Sequence, residues 1–206
     1  MKKVSLFFIA VLISGISYGQ FHIGPQVGYT ASKLSYKGSD ITSSLKNNML
    51  IGVFMRIGRK VYVQPEVNYM TQGSVFKFPA LGGSTSVFEQ DVSLKAIQIP
   101  LSLGWQFLNL KVIKLRIFGG VTANFIVDKT ITPNGTAPKD YLIPNDFKDI
   151  QWQYQTGLGI DILMFAIDVK YYGGINNILD FKYDSGSKTL LGGSNVFEVT
   201  LGWKLL

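Results

Sequence analysis

Very few residues in this chain have the chemistry of a catalyst. His22 is the only histidine and there is no cysteine, so thiolate nucleophiles, zinc–thiolate sites and disulfides are excluded together. A histidine acting as general base needs a positioned partner. No such motif accompanies His22, which reads as a packed or hydrogen-bonded interior residue. Asp161 and Asp168 are spaced to approach each other as a carboxylate pair. With Lys170 so near, they read as members of ion pairs before they read as an acid–base dyad. Asn145, Asp146 and Asp149 offer oxygen ligands but lack the alternating spacing of a calcium loop. The residues therefore predict no catalytic set, no metal site and no cofactor.

The elements that carry these residues alternate with a period of two. From Phe21 to Ala31 the odd positions Phe21, Ile23, Val27, Tyr29 and Ala31 are apolar, and the positions between them are small or polar. Seven further sets repeat the pattern, beginning at Met49, Val61, Ile97, Leu115, Trp152, Phe165 and Phe197. From Gly157 to Gly173 no turn residue separates the sixth and seventh strands, yet the apolar face moves from even numbers, ending at Ile162, to odd numbers from Phe165. A one-residue change of parity turns a strand inside out, so a two-residue hairpin at Leu163-Met164 is required.

The fold class predicted is all-β, an eight-stranded antiparallel up-and-down transmembrane β-barrel. A run of 18 apolar residues occurs nowhere, which leaves no helical span. Short connections at Arg59, at Asn109 to Ile113 and at Leu163-Met164 alternate with long ones holding Ser39 to Ser44, Gly82 to Ser86, Thr132 to Pro144 and Asp184 to Ser194. Short periplasmic turns and long external loops are the habit of outer-membrane barrels, and an even strand count puts both termini in the periplasm. A soluble barrel would carry its charges outside. Here the polar set is mostly Gln, Gly, Asn, Ser and Thr, and an eight-stranded interior has no room for all the large apolar residues of the other set.

Lys2 and Lys3, the apolar run Leu6 to Ile13 and the small residues Ser17 and Gly19 predict a cleavable signal peptide over 1–19, with the barrel domain over 20–206. Tyr29, Tyr69, Trp105, Trp152, Tyr154, Tyr171 and Trp203 fall near strand ends on the outward parity, as membrane-interface girdles do. On the inward parity lie Arg56, Arg116, Lys170 and Lys204 with Glu66, Asp161, Asp168 and Glu198. Opposite charges in a narrow interior survive when paired, so these eight are expected to form a network that plugs the lumen. The alternative is an ion pathway. Pro25, Pro65 and Pro100 lie within strands, where each should mark a bulge or a strand end.

The formal charge is +7, but the surplus sits in the N-terminal segment and in the short turns as Arg59, Lys60, Lys111 and Lys114. Phospholipid head groups are the partners this suggests, and no nucleic-acid motif appears. The stretch Val63 to Gly73 (VQPEVNYMTQG), Lys95 to Trp105 (KAIQIPLSLGW), and the segments DFKDIQWQYQTGLGIDI and IDVKYYGGINNI together resemble the outer-membrane protein β-barrel domain family of porin-family or PorT-like small barrels. That resemblance implies the same fold, outer-membrane lipids and the barrel-insertion machinery as partners, and a secretion-accessory role among the options. External loops serving adhesion, envelope integrity or a protein or surface ligand, on a monomer, is the function expected; a small channel or lipid-modifying enzyme is the alternative.

Overall fold

The computed structural model describes residues 21–36, 42–78, 88–134, 143, 147–176, 179–183 and 188–205. The signal-peptide expectation, and much of the expected loops Ser39 to Ser44, Gly82 to Ser86, Thr132 to Pro144 and Asp184 to Ser194, lie outside the described residues. The strands are β1 (Phe21–Tyr36), β2 (Thr42–Gly58), β3 (Val61–Phe78), β4 (Phe88–Leu110), β5 (Ile113–Asn134), β6 (Ile150–Ile162), β7 (Phe165–Gly174), β8 (Leu179–Tyr183) and β9 (Lys188–Trp203). Each pairs antiparallel with its neighbour from β1 to β7; β7 then pairs with β9, and β9 returns to β1. The result is a closed barrel of eight strands. β8 is an addition that the alternation did not predict, a short strand paired only with the upper part of β9.

Closure explains why this sequence is stable with its apolar side chains outside. Every ladder has a partner, so no unpaired edge meets the lipid, and the outward positions can be Val, Ile, Leu and aromatic throughout. Leu158 is 61% exposed, Leu103 61% and Val53 52%, whereas the inward neighbours Gln64, Gln98 and Thr122 are buried. On β4 the apolar outer run from Ile97 to Phe107 extends about 33 Å along the strand, which at a tilt of about 40° is about 25 Å of height. That matches the hydrocarbon band of an outer membrane.

Beyond Ile97 the outer face changes character. Lys95 on β4 and Asp128 on β5 pair at 2.8 Å on the exterior, both exposed. A bulge between Lys95 and Ala96 makes Val127 the extra residue and shifts the outward parity of β5 from odd to even, which brings Asp128 to the surface beside Lys95. The strands thus continue past the apolar band, and residues expected in long loops, such as Thr132, belong to them. We call this the loop end, and the opposite end the turn end.

The turn end holds the short connections. Gly58 has φ 125°, a backbone conformation that favours glycine, at the turn before Arg59-Lys60. The Leu163-Met164 hairpin is present as parity demanded, with Phe165 opposite Ile162 and Leu163 at φ 52°. The prolines call for a correction, because none produces a register shift. Pro65 and Pro100 instead flank interruptions: the β2–β3 ladder skips Gln64 and Pro65, and the β3–β4 ladder skips from Pro65↔Leu101 to Asn68↔Gln98 without change of register. Pro25 pairs with Val53 just beyond the last β1–β9 pair, Gln26↔Gly202. A missing N–H costs a ladder bond at each site, and the neighbouring pairs hold the alignment.

Candidate functional site

The interior of the barrel is the candidate site, and it is layered. Nearest the turn end, Asp161 on β6 receives Arg56 of β2 at 2.8 Å, Arg116 of β5 at 2.8 Å and Lys204 at 3.2 Å. Arg116 also reaches Asp168 of β7 at 2.6 Å. Its guanidinium donates to the Tyr62 hydroxyl at 3.1 Å, and both arginines lie over the Tyr62 ring, at 5.0 Å for Arg56 and 5.7 Å for Arg116. Three cations share two carboxylates in this layer.

The second layer has the opposite imbalance. Lys170 of β7 meets Glu66 of β3 at 2.6 Å and Glu198 of β9 at 3.4 Å, one cation against two carboxylates. Glu66 also accepts from Gln26 and Gln64, both at 2.8 Å, and Glu198 accepts from the Tyr172 hydroxyl at 3.1 Å. Gln64 joins the two layers, since its carbonyl accepts from Arg56 Nε at 2.7 Å while its amide donates to Glu66. The surplus positive charge of the first layer and the surplus negative charge of the second are therefore coupled through one side chain.

Two of these contacts cross the barrel. β2 and β6 stand four strands apart in the ring of eight, as do β3 and β7. Arg56–Asp161 and Lys170–Glu66 thus each span its full width. All eight residues expected in a lumen network lie inside, in these two layers. Asp161 and Asp168 do come together, through the guanidinium of Arg116 between them. His22 is half-buried, opposite Arg56 on β2.

Glycines make the room these long side chains need. Tyr62, Gly104, Phe118, Gly157 and Lys170 are successive partners across five strands, an alternation of large and small. A Cβ on Gly104 would collide with the Tyr62 ring, and one on Gly157 would lie 2.6 Å from Phe118. In the next row Gly159 stands between Arg116 and Asp168.

Toward the loop end the lining changes to amides, with Gln72 donating to Gln151 at 3.0 Å and Asn124 to Gln153 at 2.7 Å. Apolar side chains are buried among these polar ones, with Leu94 opposite Gln72, Val92 opposite Ser74, Val196 opposite Ser32 and Met70 opposite Ala96, and Phe147 is buried as well. The sequence reading missed these buried apolar residues, together with Tyr62, Tyr172 and Gln64. Their signal was present as inward parity, but only the register shows what they touch.

On the outside, Tyr29, Tyr69, Trp105, Trp152, Tyr154 and Trp203 are each about half exposed, and Tyr171 is partly covered by its neighbours. Tyr154, Tyr171 and Phe197 form one stack, with centroids 6.3 and 5.0 Å apart. Trp105 packs on Phe107 at 6.2 Å at the turn end. Among the described residues no group of His, Cys, Asp and Glu is arranged to hold a metal ion.

The profile of the family described as outer membrane protein beta-barrel domain matches residues 14–180. No curated protein sequence matches the chain. Among solved structures, the chain is similar to Ail, the attachment invasion locus protein of Yersinia pestis, at 10% identity over 90% of this chain and 99% of that one, with a TM-score of 0.48. It is similar to OprG from Pseudomonas aeruginosa at 12% identity over 91% and 96%, TM-score 0.46. Neisserial surface protein A gives 12% identity over 89% and 97%, TM-score 0.45. With the family match running over most of its length and a closed antiparallel barrel that is apolar outside, the chain belongs to the outer membrane protein β-barrel domain family.

Proposed function

We propose that this protein is a closed, non-catalytic barrel whose lumen is plugged, and that it works through the surface it presents at the loop end. The observation that carries this reading is the pair of contacts Arg56–Asp161 and Lys170–Glu66, each spanning the barrel. An ion moving through would have to displace both, and buried pairs of this kind resist separation because each partner would be left as a desolvated charge. Toward the loop end, buried amide and apolar side chains, among them Gln72, Met70, Leu94 and Val196, fill the lumen further.

In this reading the turn end and both termini face the periplasm, residues 1–19 are a signal peptide, and the aromatic girdles sit at the two membrane interfaces. The strands that continue past the apolar band support a role outside the membrane, in adhesion, envelope integrity or partner binding. The test is planar-bilayer recording of the refolded protein. Electrical silence is expected; large, steady, ion-selective conductance would overturn the plug and favour a channel.

A further inference from the structure

At the turn end a depression of about 440 Å³ is lined by Arg59, Lys60, Gln106, Phe107, Asn109 and Lys114. We propose that it binds the phosphate of an anionic phospholipid head group. Its volume lies within the range of small-ligand sites, about 300–1,000 Å³. Three of its six lining residues are cations, two are amides that can donate, and none is a carboxylate.

The acidic group nearest in register does not neutralise it. Lys114 is paired with Asp161 across β5–β6, but Asp161 is engaged by Arg56, Arg116 and Lys204. Among the described residues, Arg59, Lys60 and Lys114 form no ion pair. Backbone geometry also builds the depression. A bulge between Gln106 and Leu108 makes Phe107 the extra residue of β4, and the backbone N–H of Gln106 donates to the Lys60 carbonyl at 2.7 Å, tying the β2–β3 turn to this strand.

Phe107 decides between a lipid and a free anion. It is 47% exposed and packs on Trp105, so the wall of the depression is continuous with the lipid-facing surface. A phosphodiester held by the cations would leave its glycerol and acyl portion against Phe107. A free phosphate would make no use of that wall.

The test uses Trp105 as reporter, in the Trp152→Phe, Trp203→Phe background, refolded in mixed micelles. Micelles have no sidedness, so the result is independent of how the barrel is oriented in cells. Brominated phosphatidylglycerol should quench Trp105 at lower mole fraction than brominated phosphatidylcholine. Arg59→Gln, Lys60→Gln and Lys114→Gln should each reduce that preference roughly fivefold, the change equivalent to about 1 kcal/mol per basic residue near an anionic surface. Lys129→Gln, at the loop end, should leave it unchanged. Equal quenching by the two lipids, or competition by inorganic phosphate at the same concentration as the lipid, would overturn the proposal.

Discussion

Arg116 and Asp168 meet at 2.6 Å over the backbone of Gly159, which lies between them in a single register row. β6 separates their strands, so the contact exists only because residue 159 has no side chain. A Cβ there would collide with Asp168 Oδ1 and lie 2.6 Å from Arg116 Nη2.

Gly159→Ala should therefore destabilise the barrel by about 2–4 kcal/mol, somewhat below the loss of a buried pair outright. Urea unfolding in detergent, followed by the shift between unboiled and boiled mobility, measures it. In an Arg116→Ala background the cost of Gly159→Ala should shrink, because the contact it disturbs is already gone. Additive effects would show that Gly159 serves something other than this pair.

The strands and their faces were legible in the sequence because a period of two survives whatever the side chains are. The change of parity between Ile162 and Phe165 located a hairpin that carries no glycine or proline. The charge network was legible as a set of residues on one parity, but its connections were not. That Arg56 crosses to Asp161 and Lys170 to Glu66 follows from the closed ring and its register. The bulges at Val127 and Phe107 change parity inside a strand, and fixed alternation cannot follow them. The inward positions of Leu94 and Val196 were hidden because apolar residues on both parities do not declare which face is lipid.

Leu163 is a second site where the backbone rather than packing sets the outcome. Its φ of 52° is in the left-handed region, which costs an L-residue about 1–2 kcal/mol. It is also 68% exposed, so little packing is lost on replacement. Leu163→Gly should raise stability by up to about 1 kcal/mol once the entropy of glycine is included. A lower unfolding midpoint would show that the Leu163 side chain contributes more than its exposure suggests.

The proposed orientation can be read with single cysteines, since the chain contains none. A membrane-impermeant thiol reagent added to intact cells should label Asp128→Cys and Thr132→Cys and leave Lys111→Cys unlabelled. Both sets should react once the cells are opened. Labelling of Lys111→Cys in intact cells would invert the topology while leaving the barrel itself unaffected.

The second layer offers the sharpest test of the plug. Lys170 is buried between Glu66 and Glu198. Lys170→Met would leave two carboxylates facing each other with no cation, and breaking a buried pair in this way costs about 3–5 kcal/mol. Glu66→Gln in the same chain should recover part of that loss, because one of the two unpaired charges is removed while the amide oxygen can still accept from either Gln26 or Gln64. In bilayers Lys170→Met should show intermittent cation-selective openings, since the layer becomes doubly negative, and the double variant should be quieter. If Lys170→Met is as stable and as silent as the parent, the pair does not hold the lumen closed, and the mixed amide and apolar packing toward the loop end becomes the barrier.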